Sequence, residues 1–108
     1  MEIKLGKIEN VDVELIRGCF LGIDFTFSLE GGNCHIGSGG KYTVNTSENC
    51  KWDHPQDKRQ AYYEAFQKIA DILKEAKVNK VQNLKGIPVK VKIENDTFKD
   101  FEILKEVL

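Results

Sequence analysis

The order of apolar and polar positions changes period partway along the chain. Val11, Val13 and Leu15 alternate with Asp12 and Glu14, the two-residue repeat of a half-buried strand. After Gly18, the residues Ile23, Phe25, Phe27 and Leu29 alternate with Asp24, Thr26 and Ser28. Their β-branched and aromatic side chains suit a pleated surface. A glycine-containing connection between two such runs predicts an antiparallel hairpin. Gly31-Gly32-Asn33 reads as a turn, with short strands at Cys34–Ile36 and Lys41–Val44 and a polar loop over Asn45–Asn49.

From Pro55 the period becomes helical. Tyr62, Ala65, Phe66, Ile69, Ile72, Leu73 and Ala76 recur at spacings of three and four, and proline suits the first turn, so a helix is expected over 55–77. A connection over Asn79–Gly86, with one helical turn burying Val81 and Leu84, precedes a strand through Ile87, Val89, Val91 and Ile93. Glu94-Asn95-Asp96 turns the chain into a return strand carrying Phe98, Phe101, Ile103 and Leu104. Its register is open, and its tail is expected to curl into a short helix. The predicted fold is α+β: an antiparallel sheet of five or six strands with one long helix on one face.

Composition narrows the class. The chain has 108 residues, the size of a single domain, and is 41% hydrophobic and 31% charged with 2 prolines, which excludes a disordered chain. No apolar run approaches the ~20 residues of a membrane helix, and the first ten residues have no secretory apolar core. The cysteines, Cys19, Cys34 and Cys50, are odd in number and fit a reducing cytoplasm. The net charge of −1 removes the global pull that drives non-specific nucleic-acid binding. Residues 51–90 nevertheless hold 9 basic and 5 acidic groups.

Candidate chemistry is sparse. Among Cys34, His35, Cys50 and His54 only Cys50 and His54 have ligand spacing, short of a four-ligand metal site. Cys34 has His35 beside it, but strand neighbours point to opposite faces, and Cys19 reads as core. No nucleophile elbow, paired-carboxylate motif or metal helix is present, which favours a protein that is not an enzyme and uses no cofactor. The most suggestive segment is Gly37-Ser38-Gly39-Gly40-Lys41, whose backbone N–H groups suit a phosphate, although the lysine leads into a strand rather than a Walker helix. Lys58 and Arg59 lie in the first turns of the helix, with Trp52 and His54 just before it. Should these regions meet, Ser38, Gly39, Gly40, Lys41, Trp52, His54, Lys58 and Arg59 would form a ligand-binding pocket for a phosphorylated, base-containing molecule. Phe25, Phe27, Phe66, Phe98 and Phe101 occupy periodic positions and are expected in the core. Tyr42, Trp52 and one of Tyr62 or Tyr63 are left free.

The stretch LKGIPVKVKIENDTFKDFEILKEVL, residues 84–108, together with the segment Gly39–Asn45, resembles small proteins encoded by bacteriophages and prophages. These carry similar "LKG-PV-V--EN-TFK-F-ILTEVL" endings. The resemblance lies in hairpin and core residues and carries over no catalytic or binding residue. A fainter likeness, in the order helix then "LKG-PV-V", is to phage replication-associated proteins that bind single-stranded DNA. What a phage origin implies is a protein that works in a bacterial host and belongs to one of two classes, an accessory factor of phage DNA metabolism or a counter-defence protein; the assembly reading stands apart from the resemblance. The first expectation is a counter-defence factor that sequesters a nucleotide or blocks a host immune protein. The second is a single-stranded nucleic-acid-binding accessory of replication or recombination, and the third an assembly protein whose exposed sheet edge or face pairs subunits into a homo-oligomer.

Overall fold

The computed structural model describes residues 1–31, 34–47 and 51–105. The turn expected at Gly32-Asn33, the loop residues Glu48 and Asn49, the candidate ligand Cys50 and the tail at 106–108 lie outside the described residues. The elements are β1 (Glu2–Ile16), β2 (Phe20–Leu29), β3 (Cys34–Gly37), β4 (Thr43–Asn45), α1 (Pro55–Ala76), a 3-10 turn η1 (Val81–Leu84), β5 (Pro88–Glu94) and β6 (Thr97–Ile103). All pairings are antiparallel, in the order β3-β2-β1-β5-β6, with β4 pairing the same edge of β2 as β3. The expected α+β architecture is present, with a six-stranded sheet and one long helix.

β1 extends well beyond the expected Val11–Leu15. Its first part was obscured because the pattern is inverted there. Glu2 and Lys4 stand opposite Ile93 and Val91 on the core side, while Ile3 and Leu5 face solvent. A bulge between Ile8 and Asn10 then shifts the phase, so that Ile8 and Val11, three apart, share the buried face. Arg17 and Gly18, both at positive φ, turn the chain into β2. The register of β6 is fixed by β5, Val89 opposite Ile103 and Val91 opposite Phe101, with an irregularity that leaves Lys99 unpaired.

The sheet is concave. β2 and β6 are separated by β1 and β5, about 14 Å at the usual strand spacing. Even so, the Phe27 and Phe98 rings lie 5.4 Å apart and those of Phe25 and Phe101 5.0 Å. Tyr42, beyond the far edge of β2, reaches Asp100 of β6 with its hydroxyl. The two flanks curl towards each other around these aromatics, and α1 touches both, contacting β2 and β4 on one side and β6 on the other.

The helix covers only part of the mouth. Ile72 and Ala76 are buried and Ile69 and Leu73 pack against the core, but residues 55–60 are all exposed. Lys77, in the left-handed conformation, ends the helix one residue before the expected boundary. Three core expectations are corrected as a result. Phe66 is 69% exposed, and Val13 and Leu15, although on the helix-facing side of β1, are 50% and 53% exposed, so helix and hairpin do not close over each other here. Tyr42, expected free, is 8% exposed, since the curl of the sheet folds it over the aromatic cluster. Lys41 and Tyr42 also form a turn rather than the start of a strand.

Candidate functional site

The glycine-rich segment fills a gap in the sheet. Among the described residues no strand lies beside Phe25 between β3 and β4, so its backbone needs other partners. Ser38 supplies them. Its N–H donates to the Phe25 carbonyl at 2.9 Å, and its hydroxyl accepts the Phe25 N–H at 2.9 Å while lying 3.3 Å from Asp24 Oδ1, to which it donates. Ser38 is 7% exposed. The chain then turns tightly. Lys41 N–H donates to the Ser38 carbonyl at 3.3 Å, and the Thr43 hydroxyl and N–H both donate to the Gly40 carbonyl, at 2.7 and 3.3 Å. Gly22 permits this packing, because a β-carbon there would fall 2.2 Å from the Tyr42 carbonyl oxygen.

Tyr42 links the two flanks. Its hydroxyl donates to Asp100 Oδ1 at 2.9 Å, and Asp100 Oδ1 also accepts the Phe101 N–H at 2.8 Å. Burial, then the hydrogen bond to Asp100 and its negative charge, push the phenol far above its ordinary range. Lys68, from the middle of α1, places Nζ 5.0 Å from the Tyr42 ring centroid and 5.8 Å from that of Phe101. Beside this cluster is a hollow of about 240 Å³, where Lys41, Tyr42 and Thr43 face Ala61, Glu64, Ala65 and Lys68.

The sequence-derived candidates are therefore divided. Lys41 meets the middle of the helix, at Glu64 and Lys68, and Trp52, His54, Lys58 and Arg59 are not part of that hollow. Trp52 is half-buried, while His54, Lys58 and Arg59 are exposed at the helix start. His54 is the N-cap and makes no side-chain capping bond. Gly39, at φ +58, and Gly40 form the exposed tip of the turn. Cys34 is exposed, Cys19 is half-buried, and His35 pairs with Glu9 at 2.7 Å rather than with a thiol. Among the described residues no group of three or more metal-ligating side chains converges. Among the same residues no helix is long and apolar enough to cross a membrane.

A second feature escaped the sequence reading. Between α1 and the hairpin, a wholly apolar cleft of about 60 Å³ opens, with Val13, Leu21 and Val44 on the strands and Tyr62, Phe66 and Ile69 on the helix. The one available signal was the pairing of Tyr62 with Phe66 at i,i+4, next to Tyr63. The stripe itself does not say which of its turns finds cover: Ile72 and Ala76 are buried, whereas Phe66 is exposed. Comparison with protein-family models, with curated proteins and with solved structures gives no match, so the site is read from its own geometry.

Proposed function

We propose that the protein is a non-enzymatic binding factor of phage type that acts in its bacterial host by covering a surface of a defence protein. The carrying observation is the apolar cleft with its rim. Phe66 and Val13, which line the cleft, are at least half exposed, as is Leu15 two residues further along the same face of β1. Clustered exposed apolar and aromatic groups of this kind are characteristic of protein-binding surfaces. The nucleotide-sequestering alternative is less well supported. The Ser38 hydroxyl is committed to Phe25 and Asp24, and Glu64 brings a carboxylate to the hollow beside Lys41.

The test is phage plating on hosts that each carry one defence system. The wild-type protein is expected to restore plating on at least one host. Phe66→Glu should abolish that rescue with no change in melting temperature. Rescue that survives Phe66→Glu but fails in Lys41→Ala/Lys68→Ala, together with thermal stabilisation by a nucleotide, would move the function to the hollow.

A further inference from the structure

We infer that the outer edge of β1 at Val11–Val13 is a strand acceptor for an extended protein segment that alternates apolar with basic side chains. The inference rests on the protein-binding reading above and names the chemistry of the partner. β1 is paired along one side with β2 from Gly6 to Ile16, but along the other side β5 reaches only from Glu2 to Lys7. Ile8 closes that second side, its N–H donating to the Ile87 carbonyl at 3.0 Å and its carbonyl accepting the Gly86 N–H at 2.7 Å. Beyond it, among the described residues, no strand continues.

The backbone groups at this edge point outward. Phe25 and Ile23 direct theirs away from β1, Phe25 to Ser38 and the Ile23 N–H to the Tyr42 carbonyl. Their opposite numbers, Val11 and Val13, are therefore the non-bonded pairs of the β1–β2 ladder, and their N–H and C=O groups face away from β2; Val13 is 50% exposed there, whereas Val11, beside η1, is 8% exposed. A hollow of about 450 Å³ runs along this edge, between Val11, Asp12 and Val13 and the residues Lys80, Val81 and Gln82 of the η1 region. The other edges are blunted: β3 has 4 residues and β4 has 3, and β6 is broken by the irregularity at Lys99.

Charge selects the occupant. Asp12 and Glu14 alternate with the valines on the opposite face of β1, with Asp24 across from Asp12, and among the described residues Lys80 is the cation that lines the hollow. A second copy pairing antiparallel about Asp12 or about Val13 would set acid directly against acid, which is destabilising. A segment with lysine or arginine opposite Asp12 and Glu14 gains those pairs. Its alternate apolar residues fall beside Val11 and Val13, on the side of β1 that borders the apolar cleft.

The test uses a short labelled peptide alternating lysine with valine, its glutamate counterpart, and amide exchange of the full chain. The lysine peptide should bind about tenfold more tightly than the glutamate one and slow exchange at Val11 and Val13. Val13→Pro removes an outward N–H that the β2 ladder does not use and should abolish binding. Asp12→Lys/Glu14→Lys, at exposed positions, should reverse the peptide preference and keeps the test independent of the proline variant's folding. Equal affinity for both peptides, no added protection at Val11 and Val13, or a wild-type dimer already protected along β1 would overturn the inference. Lysine-peptide binding without phage-plating rescue by the wild type would remove the blocking role and leave the edge. Rescue lost in Phe66→Glu but retained in Val13→Pro would do the reverse.

Discussion

Ser38 and Tyr42 show how a residue chosen for its chemistry can be spent on the fold. The Ser38 hydroxyl satisfies the N–H of the fully buried Phe25 where the ladder has no strand to offer. Ser38→Ala should therefore cost about 1–3 kcal/mol in urea denaturation, the penalty for an unsatisfied buried donor. Lys41→Ala, three residues on and exposed, should stay within about 0.5 kcal/mol of wild type. Tyr42 makes a pH prediction. Its phenol is raised far above the ordinary value when folded, whereas in the unfolded chain it titrates near pH ~10. Above that pH the unfolded state releases a proton that the folded state retains, so stability falls as pH rises. The stability advantage of the wild type over Tyr42→Phe should be level below pH ~10 and shrink above it, as read from denaturation midpoints at stepped pH.

At the scale of the element, the β3–β4 connection depends on one close approach. A methyl at Gly22 would collide with the backbone of Tyr42 and Thr43, so Gly22→Ala should destabilise by about 1–3 kcal/mol and loosen the β2–β4 pairing. Gly40 meets only the Thr43 hydroxyl, at 3.4 Å, and has no positive φ. Gly40→Ala should accordingly be neutral, or stabilising by up to about 1 kcal/mol, in the same denaturation assay. The contrast separates a glycine needed for packing from one that merely lies in a turn. The element assignments themselves were largely legible. The period-two runs of β2 and β5 and the helical stripe from Tyr62 to Ala76 announce their types, because each buries one face. β1 was legible only in part, since the bulge after Ile8 and the inverted pattern around Ile3 and Leu5 break the alternation that identifies a strand.

Over the whole molecule, the concave sheet and its partial lid divide the aromatic residues into two populations. Phe101 lies among Phe25, Phe27, Phe98 and Tyr42, and Phe101→Ala should cost about 3–5 kcal/mol. Phe66 belongs to the same amphipathic reading of the sequence yet stands on the rim of the apolar cleft. Phe66→Ser should change stability by no more than about 0.5 kcal/mol by calorimetry or urea titration. A large loss at Phe66 would place it in the core after all and remove the surface on which the proposed function stands.

The local periodicities determined the helix, most of the strands and the α+β class, because burial of one face imposes a repeat that a single chain displays without its partners. The glycines of the 37–41 segment also marked it out, as a candidate phosphate-binding loop leading into a strand at Lys41 rather than as the turn it forms. What a turn is for, and which apolar faces find cover, depend on contacts between residues far apart in the chain. The curl that brings Tyr42 to Asp100, the exposure of Phe66, Val13 and Leu15 between helix and hairpin, and the side of β1 that no strand covers among the described residues were decided only by tertiary packing. Periodicity records which face a residue occupies, and only the length and placement of neighbouring elements settle whether that face is closed to water.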